Sequence, residues 1–448
     1  MANSKSTKRG GATTRRSVLK GAAAAGSSLA LASIIGKPAL AQTKPESIMV
    51  AGLQVPWRRV FEEEVAPDFE KQTGIRVDFE WLSLEALTTR LITQLPSKEG
   101  AIDVCWYYTG NAKTLSKDLA DINGLFDEYG GREEYNLDDV FDISKHVFTL
   151  DDRLIGMPFR YATDVLHYRP DVLEEAGFGE PPRTFQEMLD TALAVTEKSG
   201  GARYGIGAYG MESTAMVRGW VPFLLSNEGH YYDYDTWEIL VNKPNSVDSL
   251  QFLGDLFTKY KVVPPEATTW EWEGLTSGAQ TDRFAMTSAI GAYGQQFNHP
   301  TKSKTHGRWA WTTVPGSKTP EQSRSSGGGW AMGIAETSHK KQWAFEFTKM
   351  ATSTKYLKNT LKDSNCPPRN SVLKDPDIIA EYGWTDAVAE QARTSMPFPN
   401  VGDPVFLTCN NQIKPHVSRV LLGKATAQEA MDDAAAEWER TFKRVGLK

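Results

Sequence analysis

Along most of the chain, apolar residues recur either at every second position or in steps of three and four, and the two periods alternate. Ser47 to Leu53 reads as a short strand. Val60, Phe61, Val65 and Phe69 then fall on one side of a helix that ends at Thr73-Gly74, where the glycine supplies a C-cap. Ile75, Val77, Phe79 and Trp81 alternate as a strand, and Leu84, Leu87, Leu91, Ile92 and Leu95 follow at helical spacing. Ala101 to Trp106 is another short apolar run. Such alternation predicts a mainly parallel sheet covered by helices, whose ligands bind beyond the carboxyl ends of the strands. Those ends carry Gln54 and Trp57, then Trp81 and Ser83, then Trp106, Tyr107, Tyr108 and Asn111.

Leu154 to Phe159 predicts an apolar crossing segment, with Arg160 and Tyr161 just after it. A second alternating unit begins there. Val165 to Tyr168 reads as a strand, and Thr184-Phe-Gln-Glu187 is a capping box opening a helix with Met188, Leu189, Ala192 and Leu193. Ser246 is expected to cap a helix that turns Val247, Leu250, Leu253 and Phe257 inward. Between a strand-like Trp309 to Val314 and a helical pattern of Trp343, Phe347 and Met350 lies Ser326-Gly327-Gly328-Gly329-Trp330, read as a loop. Loops display binding residues; these glycines let the backbone approach another molecule, and the Trp offers a flat apolar face with one donor. A second capping box, Thr426-Ala-Gln-Glu429, opens a last helix whose stripe of Ala430, Met431, Ala434, Trp438 and Phe442 is packing.

A chain of 448 residues exceeds one core, so two domains are expected. The formal charge is −6, but the first 41 residues hold seven basic groups and no acidic ones; without them it falls to −13. An acidic body argues against nucleic acid or an anionic membrane as partner. Thr14-Arg15-Arg16-Ser17-Val18-Leu19-Lys20, a mildly apolar Gly21 to Gly36 and the small-residue site Ala39-Leu40-Ala41 read as a twin-arginine export signal over 1–41. That implies contact with the Tat translocase and a periplasmic protein starting at Gln42. Of three cysteines at least one is free, and Cys366 and Cys409 are candidates to pair. No Cys/His cluster suggests a metal, and no cofactor is expected.

Catalytic signatures are missing: the chain from residue 42 lacks HExxH, GxxxxGK[ST] and GxSxG. One GxGxxG occurs, Gly205-Ile-Gly207-Ala-Tyr-Gly210, with Asp233 and Asp235 downstream, but no firm strand precedes it and Pro222 interrupts the stretch after it. The ordered landmarks Phe69-Glu-Lys-Gln-Thr73-Gly74-Ile75-Arg-Val77, Ile102-Asp103-Val104, Gly156-Met157-Pro158, Leu166-His-Tyr168-Arg-Pro-Asp171, Pro182 to Glu187, Phe284-Ala285-Met286, the Gly-Gly-Gly-Trp stretch and Pro367 to Val372 resemble the family 1 solute-binding proteins of ABC importers, the group of maltose-binding protein.

That resemblance implies an α/β periplasmic binding protein of the two-lobed, Venus-flytrap type II kind, with an interlobe hinge. One lobe would hold 42–157 and 314–355, the other 158–313 and 356–448. It implies a monomer, not an enzyme, that captures a sugar or polyol between the lobes and delivers it to ABC permease subunits. The family's ligand positions carry over to Gln54, Trp57, Trp81, Ser83, Trp106, Tyr107, Asn111, Arg160, Tyr161, Tyr209, Trp220, Tyr293, Gly328, Gly329, Trp330 and Arg369. A sugar fits such residues independently, since aromatic plates cover its C–H faces and polar side chains its hydroxyls. Two other classes stay open: a carbohydrate-active enzyme with facing carboxylates, and a binder of a charged solute such as a phosphate ester or polyamine, with Arg58, Arg59, Arg160 and Arg369 holding an anion.

Overall fold

The structure, a computed structural model, describes residues 44–403 and 405–448. The export signal expected at 1–41 lies outside the described residues.

In the first lobe, the strand Ser47–Leu53 lies between Arg76–Leu82 and Val104–Tyr108 and is parallel to both. Ile48, Val50 and Ala51 of this strand are fully buried, and Asp103 fastens the strand starts together. Its buried carboxylate accepts from the Met49 amide (2.8 Å), Ser338 Oγ (2.7 Å) and Lys340 Nζ (3.0 Å). A buried charge is tolerable only with such complete pairing, which accounts for the aspartate in this apolar run. The helix after the first strand runs as Arg58–Val60, a wide π turn Phe61–Val65 and Ala66–Thr73. Pro67, with no N–H to donate, sits in the first turn of the last piece, and Gly74 caps it at φ 68°.

Two strands carry the chain between lobes. Ser326–Ile334 runs antiparallel to Val104–Tyr108 on one side and to Met157–Ala162 on the other. The glycines read as a loop therefore lie inside a strand. Their role is close approach: a Cβ on Gly329 would stand 1.9 Å from the Arg160 carbonyl oxygen, so a side chain there is incompatible with this pairing. Arg160 and Tyr161 likewise belong to the crossing strand and do not follow it.

Beyond the crossing, Asp164–Tyr168 enters a second sheet ordered Ala310–Thr312, Asp164–Tyr168, Phe284–Ile290, Tyr204–Ile206. Both capping boxes form, opening helices Phe185–Lys198 and Ala427–Arg444. Ser246 does not cap its helix: Pro244–Thr258 begins two residues earlier, and the buried Ser246 hydroxyl accepts from the His230 amide at 3.1 Å. Each sheet has its own apolar core, and residues 361–392 add a third cluster around Tyr161 and Val165 at the crossing. Cys366 lies in that third cluster and Cys409 in the second-lobe core; all three cysteines are free and buried. The GxGxxG glycines make room for packing. A Cβ would meet Ala192 at 2.3 Å from Gly205, Phe284 at 2.5 Å from Gly207 and the Ala267 carbonyl at 2.5 Å from Gly210. The next helix, Thr214–Ser226, instead starts from its own Ser213 cap.

Candidate functional site

The central strand Ser326–Ile334 sets register on both flanks, placing Trp330 opposite Tyr108 and opposite Arg160. Trp330 and Tyr108 meet with ring centres 5.6 Å apart, tilted by 43°, and both rings stay partly exposed. Thr109 locks this edge: its hydroxyl accepts from the Gly329 amide (2.9 Å) and donates to the Gly329 carbonyl (3.1 Å). Gly328 leaves space beside the same hydroxyl, where an added Cβ would stand 3.2 Å away.

Arg160 extends from the crossing strand over the Trp57 ring, 4.1 Å from its centre. Its Nη1 donates to the Ser364 carbonyl (3.0 Å) and Asn365 Oδ1 (3.1 Å), and the Asn365 amide is held by the Phe159 carbonyl at 3.1 Å. Its partners are thus neutral, and burial pushes the guanidinium down to about 10. The Trp57 indole N–H is buried with no partner.

The second lobe contributes Tyr209, Trp272 and Tyr293. Trp272 stands edge-on between the other two, 5.0 Å from Tyr209 and 6.2 Å from Tyr293. Beside them Arg218, from helix Thr214–Ser226, lies 3.1 Å from Asp164 Oδ2. Burial raises the Asp164 carboxyl while Arg218 and the Ser325 hydroxyl oppose the rise. Burial also pushes Tyr293 up to about 12, against the charges of Arg218 and Arg160 that act on its hydroxyl. Arg160 comes from the crossing strand and Arg218 from helix Thr214–Ser226 of the second lobe. The arrangement offers flat apolar faces, buried donors without partners and two guanidiniums, which suits a small polyhydroxylated molecule.

Of the sequence-derived set, Arg160 contacts Trp57, Gly328, Gly329 and Trp330 lie on the strand paired with that of Arg160, and Tyr209 and Tyr293 flank Trp272 in the second lobe. Others lie elsewhere. Trp220 is fully buried in the second-lobe core, its indole donating to Ser249 Oγ at 2.9 Å, because it points to the inner face of a helix apolar nearly all round. Arg369 is buried against Asp139 at 3.1 Å and over the Tyr135 ring at 4.5 Å, so its charge is spent inside the fold. Trp106 and Tyr107 are mid-strand and buried: Trp106 packs on Phe61 and Phe159, Tyr107 on Phe148. Trp81 stacks on Phe79 and donates to Glu62 at 2.6 Å, Ser83 caps helix Leu84–Gln94, and Asn111 donates to Thr88 at 3.1 Å. Tyr161 is buried against Phe141, and Gln54 is exposed at the strand end.

Sequence reasoning missed four members. Tyr108 was legible as a strand end but not among the transferred positions. Trp272 had the signal of a Trp at the start of a helix, after Trp270-Glu271. Arg218 and Asp164 gave none, because their approach depends on where helix and strand meet. The arginines read as possible anion holders are mostly occupied: Arg58 by Glu62 (2.8 Å), Arg59 by Glu63 (3.0 Å) and Asp363 (2.9 Å).

The profile of the family described as "Bacterial extracellular solute-binding protein" matches residues 53–358. Among curated relatives, a probable amino-acid ABC transporter periplasmic-binding protein of Sinorhizobium fredii is 23% identical, covering 85% of this chain and 86% of its own. The mannitol-binding protein of Pseudomonas aeruginosa is 22% identical, covering 87% and 89%. Among solved structures, maltose-bound MalE3 of T. maritima superposes with a TM-score of 0.72 at 21% identity, covering 88% of this chain and 99% of that one. The two-lobed fold is thereby shared.

Proposed function

Because the chain belongs to the bacterial extracellular solute-binding proteins, we propose that it captures a sugar or polyol between its lobes and hands it to the permease of an ABC importer. The observation that supports this reading is the gathering of Trp330, Tyr108, Arg160 and Trp57 about one crossing strand, with a second aromatic group of Tyr209, Trp272 and Tyr293 in the other lobe. Rings on two sides cover the C–H faces of a sugar, and the unpartnered Trp57 N–H and Tyr209 hydroxyl are donors for its oxygens. The relatives named for mannitol and bound to maltose supply the same ligand class.

On this reading the lobes divide at the crossing strands Met157–Ala162 and Ser326–Ile334, close to the sequence-derived limits at 157 and 314. Ligand contacts on both lobes form together only when they close, so ligand favours the closed form, which a permease recognises. The protein works as a periplasmic monomer exported through the twin-arginine route, and its task is binding without turnover.

A thermal-shift screen of the mature chain, from Gln42, against neutral and acidic sugars and polyols tests the proposal. A ligand at 100 times its dissociation constant adds about 2.7 kcal/mol to stability, a readable shift. No shift with any sugar or polyol at about 10 mM, alongside a shift with amino acids or polyamines, refutes it.

A further inference from the structure

Arg160 lies on the crossing strand Met157–Ala162, and Asp164, which opens the strand right after it, is paired with Arg218 of the second lobe, so two guanidiniums and one carboxylate belong to the same crossing. Among the described residues, Asp164 is the single carboxylate within 4 Å of either arginine: it pairs with Arg218 at 3.1 Å, and Arg160 has only neutral acceptors, Ser364 O and Asn365 Oδ1. Glu273, the next acid near Tyr293, is exposed and screened by water. Arg218 keeps 16% of its side chain exposed, yet its Nε and Nη2 are buried and make no aligned hydrogen bond, the approach to Asp164 being by distance alone. With Nη2 beside Asp164, the unpartnered Nε leaves part of this planar fork for contact with a second carboxylate. Buried positive charge in excess of its internal partners is a cost to the folded protein unless a ligand neutralises it. Aromatic faces on both sides exclude a bare inorganic ion as the intended occupant, since they offer surface it cannot use.

We infer that the solute is a sugar carrying one carboxylate, a uronate or aldonate, whose ring or chain lies on Trp330 and whose carboxylate is received by Arg218 with Arg160. This rests on the sugar-binding reading of the same site and narrows it. The net charge of the trio, two positive and one negative, matches a monoanion. Asp164 then has a second role: it holds the Arg218 fork in place and limits the site to a single negative charge.

Calorimetric titration of the mature protein with matched pairs tests this: D-glucuronate against D-glucose, D-gluconate against D-glucitol, with D-glucose 6-phosphate as the dianion. The acid of at least one pair is expected to bind about ten times tighter than its neutral partner and tighter than the phosphate, with an advantage that shrinks as salt rises. Arg218→Gln should erase the acid's advantage, Arg218→Lys should keep part of it, and Asp164→Asn should strengthen binding of the dianion relative to the monoanion. Circular dichroism melts confirm that each variant folds; if Arg218→Gln does not, the Lys and Asn variants decide. Neutral members binding as tightly as their acids overturns the inference and leaves the sugar reading standing. Binding of neither member of any pair overturns both, and preference for the phosphate overturns the monoanion assignment.

Discussion

Gly329→Ala tests whether the crossing strands are held at the distance only a glycine permits. Its new Cβ would stand 1.9 Å from the Arg160 carbonyl oxygen, 2.9 Å from that carbonyl carbon and 3.1 Å from Tyr161 Cα. All three are backbone atoms of Met157–Ala162, so no rotamer change relieves the clash, and an ordinary contact of about 3.4 Å requires the strands to part by about 1.5 Å. Parting them also loosens the paired hydrogen bonds of Gly329 with Thr109, at 2.9 and 3.1 Å. Overpacking costs about 1–3 kcal/mol and a weakened hydrogen bond about 1 kcal/mol, so the expected loss is about 3 kcal/mol. Gly328→Ala is the neighbouring control. Its Cβ would meet only the Thr109 side chain, with the hydroxyl at 3.2 Å, a contact relieved by a few tenths of an ångström with both Gly329 hydrogen bonds kept, and should cost under about 1 kcal/mol. Urea unfolding followed by far-UV circular dichroism measures both. Equal losses for the two alanines, or a Gly329→Ala midpoint indistinguishable from wild type, would refute the account of the glycine run.

Trp330→Ala should weaken solute binding by about thirtyfold, near 2 kcal/mol, with a modest stability loss because the ring is partly exposed. Trp220→Ala should do the reverse, costing about 3–5 kcal/mol of stability through its fully buried indole; calorimetry and melting of both variants check the contrast, and a Trp330→Ala protein that binds normally sinks the site. Burial pushes His167 down to about 4, and its neutral ring accepts from the Trp311 indole at 2.9 Å. Its folded value is depressed below the unfolded one near 6.5, so the folded state resists protonation. Stability from this group is full above about pH 6.5 and is lost as pH falls toward about 4, about 3 kcal/mol in all. Urea midpoints across that range should fall less steeply in His167→Gln; parallel slopes count against it. Arg15 and Arg16 both changed to Lys should hold the precursor in the cytoplasm, as cell fractionation reads; unimpaired export removes the twin-arginine reading.

Much of the architecture was written locally. The strand Ser47–Leu53, the Gly74 cap and the two Thr/Glu capping boxes depend on residues close to each other in the chain, so period and cap residue were enough. The same holds for the order of landmarks that marks the family, and for Trp330 as a candidate ligand plate. Where local signals competed with pairing, they misled. Three successive glycines read as a loop because nothing in the stretch reveals that Arg160 and Tyr161, far earlier in the chain, press their backbone against it.

The site itself was the business of the tertiary structure. Trp106, Tyr107, Trp220, Tyr293 and Trp330 are alike in a sequence, and what separates a core ring from a ligand plate is which side of a strand or helix meets the second layer. Strand Val104–Tyr108 buries its middle and releases only Tyr108 at its end; helix Thr214–Ser226 buries Trp220 and turns Arg218 toward Asp164. Charge is decided in the same way. Arg58, Arg59, Arg160, Arg218 and Arg369 carry equal charge in the chain, but folding pairs Arg58, Arg59 and Arg369 with carboxylates, brings one nitrogen of Arg218 to Asp164 and leaves Arg160 with neutral acceptors. Composition counts charges, and only the three-dimensional pairing determines which remain available to a ligand.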